Sequence, residues 1–338
     1  MSSGSMSVLN VALIGSEEFA RNLGKRGDAR DIETFIHKEE REGNQRILSF
    51  LRPMKHPESL RPLLSVLDVA RAGVVEVKRI DSALGEVMVA LGCAGIDRGH
   101  VIISPEEGDW VDPAEIEMIL KQAGIGDWEV HENGLDEHEI RGSLFEIQDF
   151  LEDGLSDQSE GPLVLPVDQH FNVKGVGLVA IGYVQSGKVS KHEEIEILPA
   201  GESGVVRSLQ VMDDDVDTAL SGDRVGVALR NAREQALHRG CMICSSGSKA
   251  LVRVDSSRFD FQRAPFQKRL LAEGDVVHAS TDMQFVVGRV VEVSGDEVSV
   301  TWDSGLWIRA QGSKIIISQL DAPMRIMGFA RILPATIA

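Results

Sequence analysis

Apolar positions along the first 160 residues of this chain switch between two periods. Val8-Leu9-Asn10-Val11-Ala12-Leu13-Ile14 is a short apolar run stopped by Gly15, the pattern of a buried strand. Leu60, Leu63, Leu64, Leu67 and Ala70 recur at helical spacing, and Val74–Val77 and Val101–Ile103 read as two further strands. A helix is then predicted from its own punctuation. Asp112 stands at the N-cap, Pro113 at the first helical position and Glu115 three residues after the cap; Ile116, Ile119, Leu120 and Ala123 form an apolar stripe, and Gly124 closes it. A last helical stretch covers Asp136 to Glu152, and the polar run Asp153 to Pro162 reads as a linker. Strands alternating with helices predict an α/β domain with a mostly parallel sheet over residues 7–155.

Beyond Pro162 the pattern changes. Short β-branched runs such as Val176–Val184 and Ile195–Leu198 are separated by glycines, with no helix of length between them. This spacing predicts an antiparallel β-barrel over residues 162–247. A second all-β segment, 248–338, places strands at Val286–Val293, Val298–Trp302, Lys314–Ser318 and Arg325–Ile332.

Composition narrows the class. No apolar run approaches the ~18 residues that cross a bilayer, and nothing resembles a signal peptide, so no membrane partner is expected. Three cysteines cannot build a disulfide framework, which fits a reducing cytoplasm. The formal charge of -18 is unevenly spread: residues 1–160 carry 16 basic and 32 acidic side chains, residues 161–247 carry 8 and 11, and residues 248–338 carry 11 and 10. The acidity therefore sits in the first domain, and a nucleic-acid backbone meets no strong repulsion along the other two.

The most specific segment runs from Leu165 to Gly240. It contains Val167-Asp168-Gln169-His170-Phe171, Val173-Lys174-Gly175-Val176-Gly177, Ser186-Gly187-Lys188-Val189, Val206-Arg207-Ser208-Leu209-Gln210, Gly222-Asp223-Arg224-Val225 and Arg239-Gly240. Together these resemble the second domain of EF-Tu-like translation elongation factors, most of all the selenocysteine-specific, SelB-like branch. Arg258 to Val293 resembles the third domain of the same family more loosely, through Phe259, Phe261, Phe266, Gly274-Asp275-Val276-Val277-His278 and Gly288-Arg289. The resemblance implies a degenerate P-loop GTPase-like domain followed by two antiparallel barrels. It also implies a tRNA or aminoacyl-tRNA partner, with the ribosome as a further one and DNA as none. By the same resemblance, Asp168, Gln169 and Arg224 are the candidate aminoacyl-binding residues, where family members often carry arginine at the position of Gln169. Arg258, Arg263, Lys268, Arg269, Arg309 and Lys314, with Trp307 nearby, are the candidates for the tRNA backbone.

The nucleotide motifs that such a family needs are missing. A phosphate-binding loop is G-x-x-x-x-G-K-[ST]. Gly15 stands in place after the first strand, but the later positions hold Ala20, Arg21 and Asn22. No D-x-x-G occurs in the first 160 residues, and no N-K-x-D follows Val101–Ile103; Asn133-Gly134-Leu135-Asp136 lacks the lysine and reads as a turn and helix cap. No GTP or Mg²⁺ cofactor and no ordinary GTP hydrolysis are expected. Three roles stay open: an aminoacyl-tRNA carrier without a GTP switch, a pseudo-GTPase adaptor for the ribosome or another protein, and an atypical GTP-binding factor. Cys241-Met242-Ile243-Cys244 has metal spacing but no second half and reads as core, the histidines show no metal-ligand spacing, and no nucleophile–base constellation stands out, so neither metal nor catalytic residues are assigned.

Overall fold

The computed structural model describes residues 6–334, apart from 133 and 135 and the side chains of Met6 and Asp153. The first domain holds β1 (Met6–Ile14), α1 (Glu17–Leu23), β2 (Lys25–Ala29), β3 (Ile32–Arg41), β4 (Asn44–Pro53), α2 (Arg61–Leu67), β5 (Ala72–Val77), α3 (Ser82–Ala94), β6 (Gly99–Ile103), α4 (Pro113–Ala123), β7 (Glu129–His131) and α5 (Glu137–Ser159). Its sheet runs β2-β3-β4-β1-β5-β6-β7. From β4 to β7 the neighbours are parallel, while β2, β3 and β4 pair antiparallel. The sheet is thus mixed, with an antiparallel flap added to the parallel core that the sequence predicts.

Two apolar layers cover it. On one face Leu9, Val11 and Leu13 of β1 meet Phe19 and Leu23 of α1 and Ile140, Leu144 and Phe145 of α5. On the other, α2, α3 and α4 bury Leu63, Leu64, Val87, Leu91, Ile116 and Leu120, and the same cluster takes in Tyr183, Met283, Ile316 and Ile326 from the two barrels. The core of the first domain is therefore continued by its neighbours.

The caps of α4 are those read from the sequence: Asp112 accepts from the Ala114 backbone N–H, and Gly124 adopts φ +82°. The run at 153–162 is different. α5 continues through Gly154 to Ser159, because its last turn docks on the first barrel. Ser221 N–H donates to Ser159 Oγ at 3.1 Å and Gly187 N–H to the Gln158 carbonyl at 2.8 Å. Tertiary contacts override the weak helix propensity there. Helix α3 and the β2–β4 flap are further elements that the apolar pattern left unassigned.

The first barrel contains β8 (Leu165–Val173), β9 (Gly177–Tyr183), β10 (Lys188–Ser190), β11 (Glu194–Leu198), β12 (Glu202–Val211), β13 (Asp214–Val216), β14 (Thr218–Leu220), β15 (Arg224–Arg230) and β16 (Met242–Ser245). The ring β11-β16-β8-β9-β15-β12 closes through β11–β12, with β13 paired to the outside of β12. Gly175 and Gly177 hold φ of +84° and +102° at the β8–β9 turn, a region costly to other residues. The second barrel, closed in the order β17-β20-β19-β18-β21-β22, contains β17 (Leu251–Arg263), β18 (Val276–Thr281), β19 (Gln284–Ser294), β20 (Glu297–Arg309), β21 (Ser313–Ser318) and β22 (Ile326–Ile332).

Candidate functional site

At the end of β1, where a parallel α/β sheet offers its phosphate-binding crevice, the connection to the first helix is short. Ser16 caps α1 two residues after the strand ends, and Ala20, Arg21 and Asn22 are wound into that helix. Ala20 is fully buried, Arg21 Nη2 pairs with Glu17 at 2.5 Å, and the Asn22 carbonyl accepts from Arg141. The Ser16 N–H that would face an anion donates instead to Glu76 Oε2 at 2.7 Å. A cleft of about 460 Å³ remains beside it, with Glu76, Asp81, Glu106 and Asp109 against Lys78 and Arg79 in its walls. Carboxylates line the ground that phosphates would need.

The larger feature is a second cleft, of about 1050 Å³, between the β2–β3 flap and the first barrel. Its lining carries seven lysines and arginines against Asp28 and Asp213, and Gln169 and Arg224 stand in it together. Six of the seven cations, Arg21, Lys25, Arg26, Arg30, Lys38 and Arg141, come from the first domain, the one whose net charge is most negative. Several are already engaged. Arg26 bonds Glu17 and Glu33, Lys38 reaches the Met212 carbonyl at 2.7 Å and Asp214 at 3.0 Å, and Arg141 caps the end of α1. Arg224 is held more loosely: the half-buried side chain lies near the Tyr183 hydroxyl and the Asp168 charge, and its Nε and Nη2 are buried without a well-formed hydrogen bond. Leaving a buried donor unsatisfied costs about 1–3 kcal/mol, more for a charged one. Gln169 donates from Nε2 to Asp28 and keeps Oε1 buried without a partner.

Asp168 does not share this role. Its carboxylate accepts from Arg239 Nη2 at 2.6 Å, and Arg239 also holds Asp31 of the first domain, Nη2 to Oδ1 at 2.7 Å. Burial pushes the Asp168 carboxyl up, and the Arg239 and Arg224 guanidiniums pull it back less strongly. For Asp31 burial also opposes the charge, but its hydrogen bonds to Arg239 leave the carboxyl below its ordinary value. Asp168 therefore belongs to a tie between domains, and the aminoacyl candidates brought together in the cleft are Gln169 and Arg224.

The backbone candidates on the second barrel separate as well. Arg263, Lys268 and Arg269 lie exposed at the end of β17 and in the loop after it, Arg269 within 3.3 Å of Asp275. Arg258 is exposed and paired with Glu297 at 2.5 Å. Arg309 is turned inward, bonded to Asp282 and facing Asp68 and Arg71 of the first domain. Lys314 lies over Phe329, 4.5 Å from the ring centre, at the seam with α3. Arg309 thus serves the domain interface, while Lys314 stays exposed beside it. Cys241 and Cys244 pack into different apolar clusters, and burial pushes their thiols up to about 11 and about 12.

Residues 177–244 match the family model of elongation factor Tu domain 2. The structure of translation elongation factor SelB from Methanococcus maripaludis in complex with the GTP analogue GppNHp superposes with a TM-score of 0.79 at 20% identity, covering 98% of this chain and 79% of that one. The chain has the architecture of an EF-Tu-like factor of the SelB type. The chain is 27% identical to an uncharacterized protein of Methanocaldococcus jannaschii over 97% of its own length and 100% of that protein. It is also 30% identical over 193 residues to the selenocysteine-specific elongation factor of the same organism, covering 51% of this chain and 41% of that factor. Among the described residues, no helix is long and apolar enough to cross a membrane.

Proposed function

We propose that this elongation-factor-like chain acts in the cytoplasm and holds the aminoacylated 3′ end of a tRNA in the cleft between its first domain and first barrel, without a GTP-driven switch. The observation that carries the reading is Arg224, whose Nε and Nη2 lack a hydrogen-bond acceptor, in a cleft with seven cations within a protein of charge -18. A half-buried cation with two nitrogens left without acceptors is poised for an acceptor from outside, and phosphate or carbonyl oxygens of an aminoacylated 3′ end supply one. Gln169 Oε1 is an acceptor for the α-amino group. Arg263, Lys268 and Arg269 are the backbone contacts along the second barrel, and the ribosome is the destination that the relatives' names as elongation factors suggest.

The reading without GTP rests on the short β1–α1 connection and on Glu76 at the Ser16 N–H. The test is the hydrolysis rate of the aminoacyl ester on bulk aminoacyl-tRNA with the full-length protein, with and without GTP. Slower deacylation, equal in both conditions, is expected. No protection in either, with co-sedimentation on ribosomes that needs no tRNA, supports an adaptor instead. Protection only with GTP restores the atypical GTPase.

A further inference from the structure

At the sheet edge opposite the cleft, parallel pairing of β6 and β7 sets His100 against Glu129 and Ile102 against His131. Alternation along β7 then puts Glu129 and His131 on one face, and the pairing puts His100 there too. Three donor atoms converge: His100 Nδ1 lies 3.1 Å from His131 Nε2 and 3.4 Å from Glu129 Oε2, and His131 Nε2 lies 3.8 Å from Glu129 Oε2. Linear spacing hides this group, since 28 residues separate His100 from Glu129.

We propose that His100, Glu129 and His131 bind one divalent transition-metal ion of the zinc type. Metal–ligand distances of about 2.0–2.1 Å in a tetrahedron put ligand atoms about 3.3–3.4 Å apart, and the three observed separations straddle that value. Two imidazoles and one carboxylate form a donor set that zinc and its neighbours take, while magnesium and calcium prefer oxygen alone. His100 is buried, His131 half-buried and Glu129 exposed, so the fourth position opens to solvent. Glu139 Oε1 of α5 lies 4.0 Å from His131 Nδ1, on the ring nitrogen that must carry the proton when Nε2 holds a metal. Asp127 and Glu146 line the adjoining hollow, where Arg98 is the cation, stacked on Phe150. The ion ties β7, a strand of three residues, to β6 and gives the exposed sheet edge a fixed end.

The test uses full-length, untagged protein stripped with chelator and titrated with Co²⁺, then with Zn²⁺. One Co²⁺ per chain is expected, with the visible bands of a four- or five-coordinate ion, no thiolate charge-transfer band, displacement by Zn²⁺, and a higher Tm with Zn²⁺ than without. His131→Gln and Glu129→Gln, both at a partly exposed edge, should each weaken binding at least about tenfold with unchanged circular dichroism. Cys241→Ser should bind as the parent does. No uptake of either metal, a thiolate band, or equal affinity in the parent and in both edge variants overturns the proposal.

Discussion

Arg325, just ahead of β22, donates from Nε to Glu86 Oε2 of helix α3 at 2.8 Å, across the boundary between the second barrel and the first domain. His56 Nε2 meets the other carboxylate oxygen at 2.9 Å. Burial raises the Glu86 pKa, but hydrogen bonds from His56 and Arg325 win and bring it down to about 2. A depressed carboxyl stabilises the fold above its unfolded value and loses that contribution as pH falls toward 2. Glu86→Gln leaves Arg325 without its counter-charge and is expected to lower stability at neutral pH by roughly 3–5 kcal/mol, with a smaller loss near pH 3. Denaturant melts at the two pH values check this.

Asp68 behaves in the opposite sense. It is half-buried at the end of α2, where it accepts from Ser280 Oγ at 3.0 Å and from the Met283 N–H at 2.9 Å. Burial, then the Asp282 charge, pushes its carboxyl up to about 8. The native state therefore holds a proton there that the unfolded chain releases near pH 4, so this group's contribution falls as pH rises from about 4 through 8. Asp68→Asn should match the parent near pH 4 and exceed it increasingly toward pH 9. The difference approaches about 1.4 kcal/mol for each pH unit separating the two pKa values. Melts across that range read it directly, and a constant difference would count against the buried proton.

Arg239→Met breaks the tie among Asp31, Asp168 and the barrel. Asp168, buried and left to Arg224 alone, should make the variant less stable by about 3–5 kcal/mol at neutral pH. Asp168→Asn in the same chain should recover part of the loss. Chemical denaturation of both variants measures it.

Arg224→Met should do the reverse. It removes a cation that makes no hydrogen bond through Nε or Nη2, so stability should hold or rise. Aminoacyl-tRNA binding should weaken, and the slope of log affinity against log salt should flatten by about 0.7 if one single-strand phosphate contact is lost. Filter binding at several salt concentrations separates this from a folding defect.

The reading without GTP predicts its own result. Fluorescent GDP and GTP analogues at micromolar concentration should give no saturable binding. Glu76→Gln, which weakens the acceptor at the Ser16 N–H, should not by itself restore any, because α1 still occupies the loop.

Much of the architecture was legible because it rests on local signals. Asp112, Pro113 and Gly124 announce α4 by capping chemistry alone, and the glycines from 175 to 226 punctuate the first barrel. The misses were set by contacts far apart in sequence. Gly154 and its polar neighbours look like a linker until Ser221 docks on the helix end. The outer half of β3, His37 to Arg41, is polar because it runs past the covered part of the sheet. Charge counted by segment placed the first domain among the acidic ones and hid the basic wall that Lys25, Arg26, Arg30 and Lys38 build with Arg21 and Arg141. Arg309 and Asp168 carry the right charge for an RNA or aminoacyl contact, but each is spent on an interface partner that only the fold brings near.

Helix α5, at 23 residues, is a rod of about 35 Å. It packs along the sheet of the first domain and ends pinned to the first barrel. Asn10 Nδ2, donating to the Gly222 carbonyl at 2.8 Å, fastens the same joint from the other side. Such a joint behaves as a bracket and not as a pivot. On the carrier reading, the jaw opening is set once, at folding, and the protein contains no clock that would loosen it after a fixed interval. Unloading then falls to whatever competes for the cargo, and the lifetime of the loaded state is governed by concentrations outside the molecule.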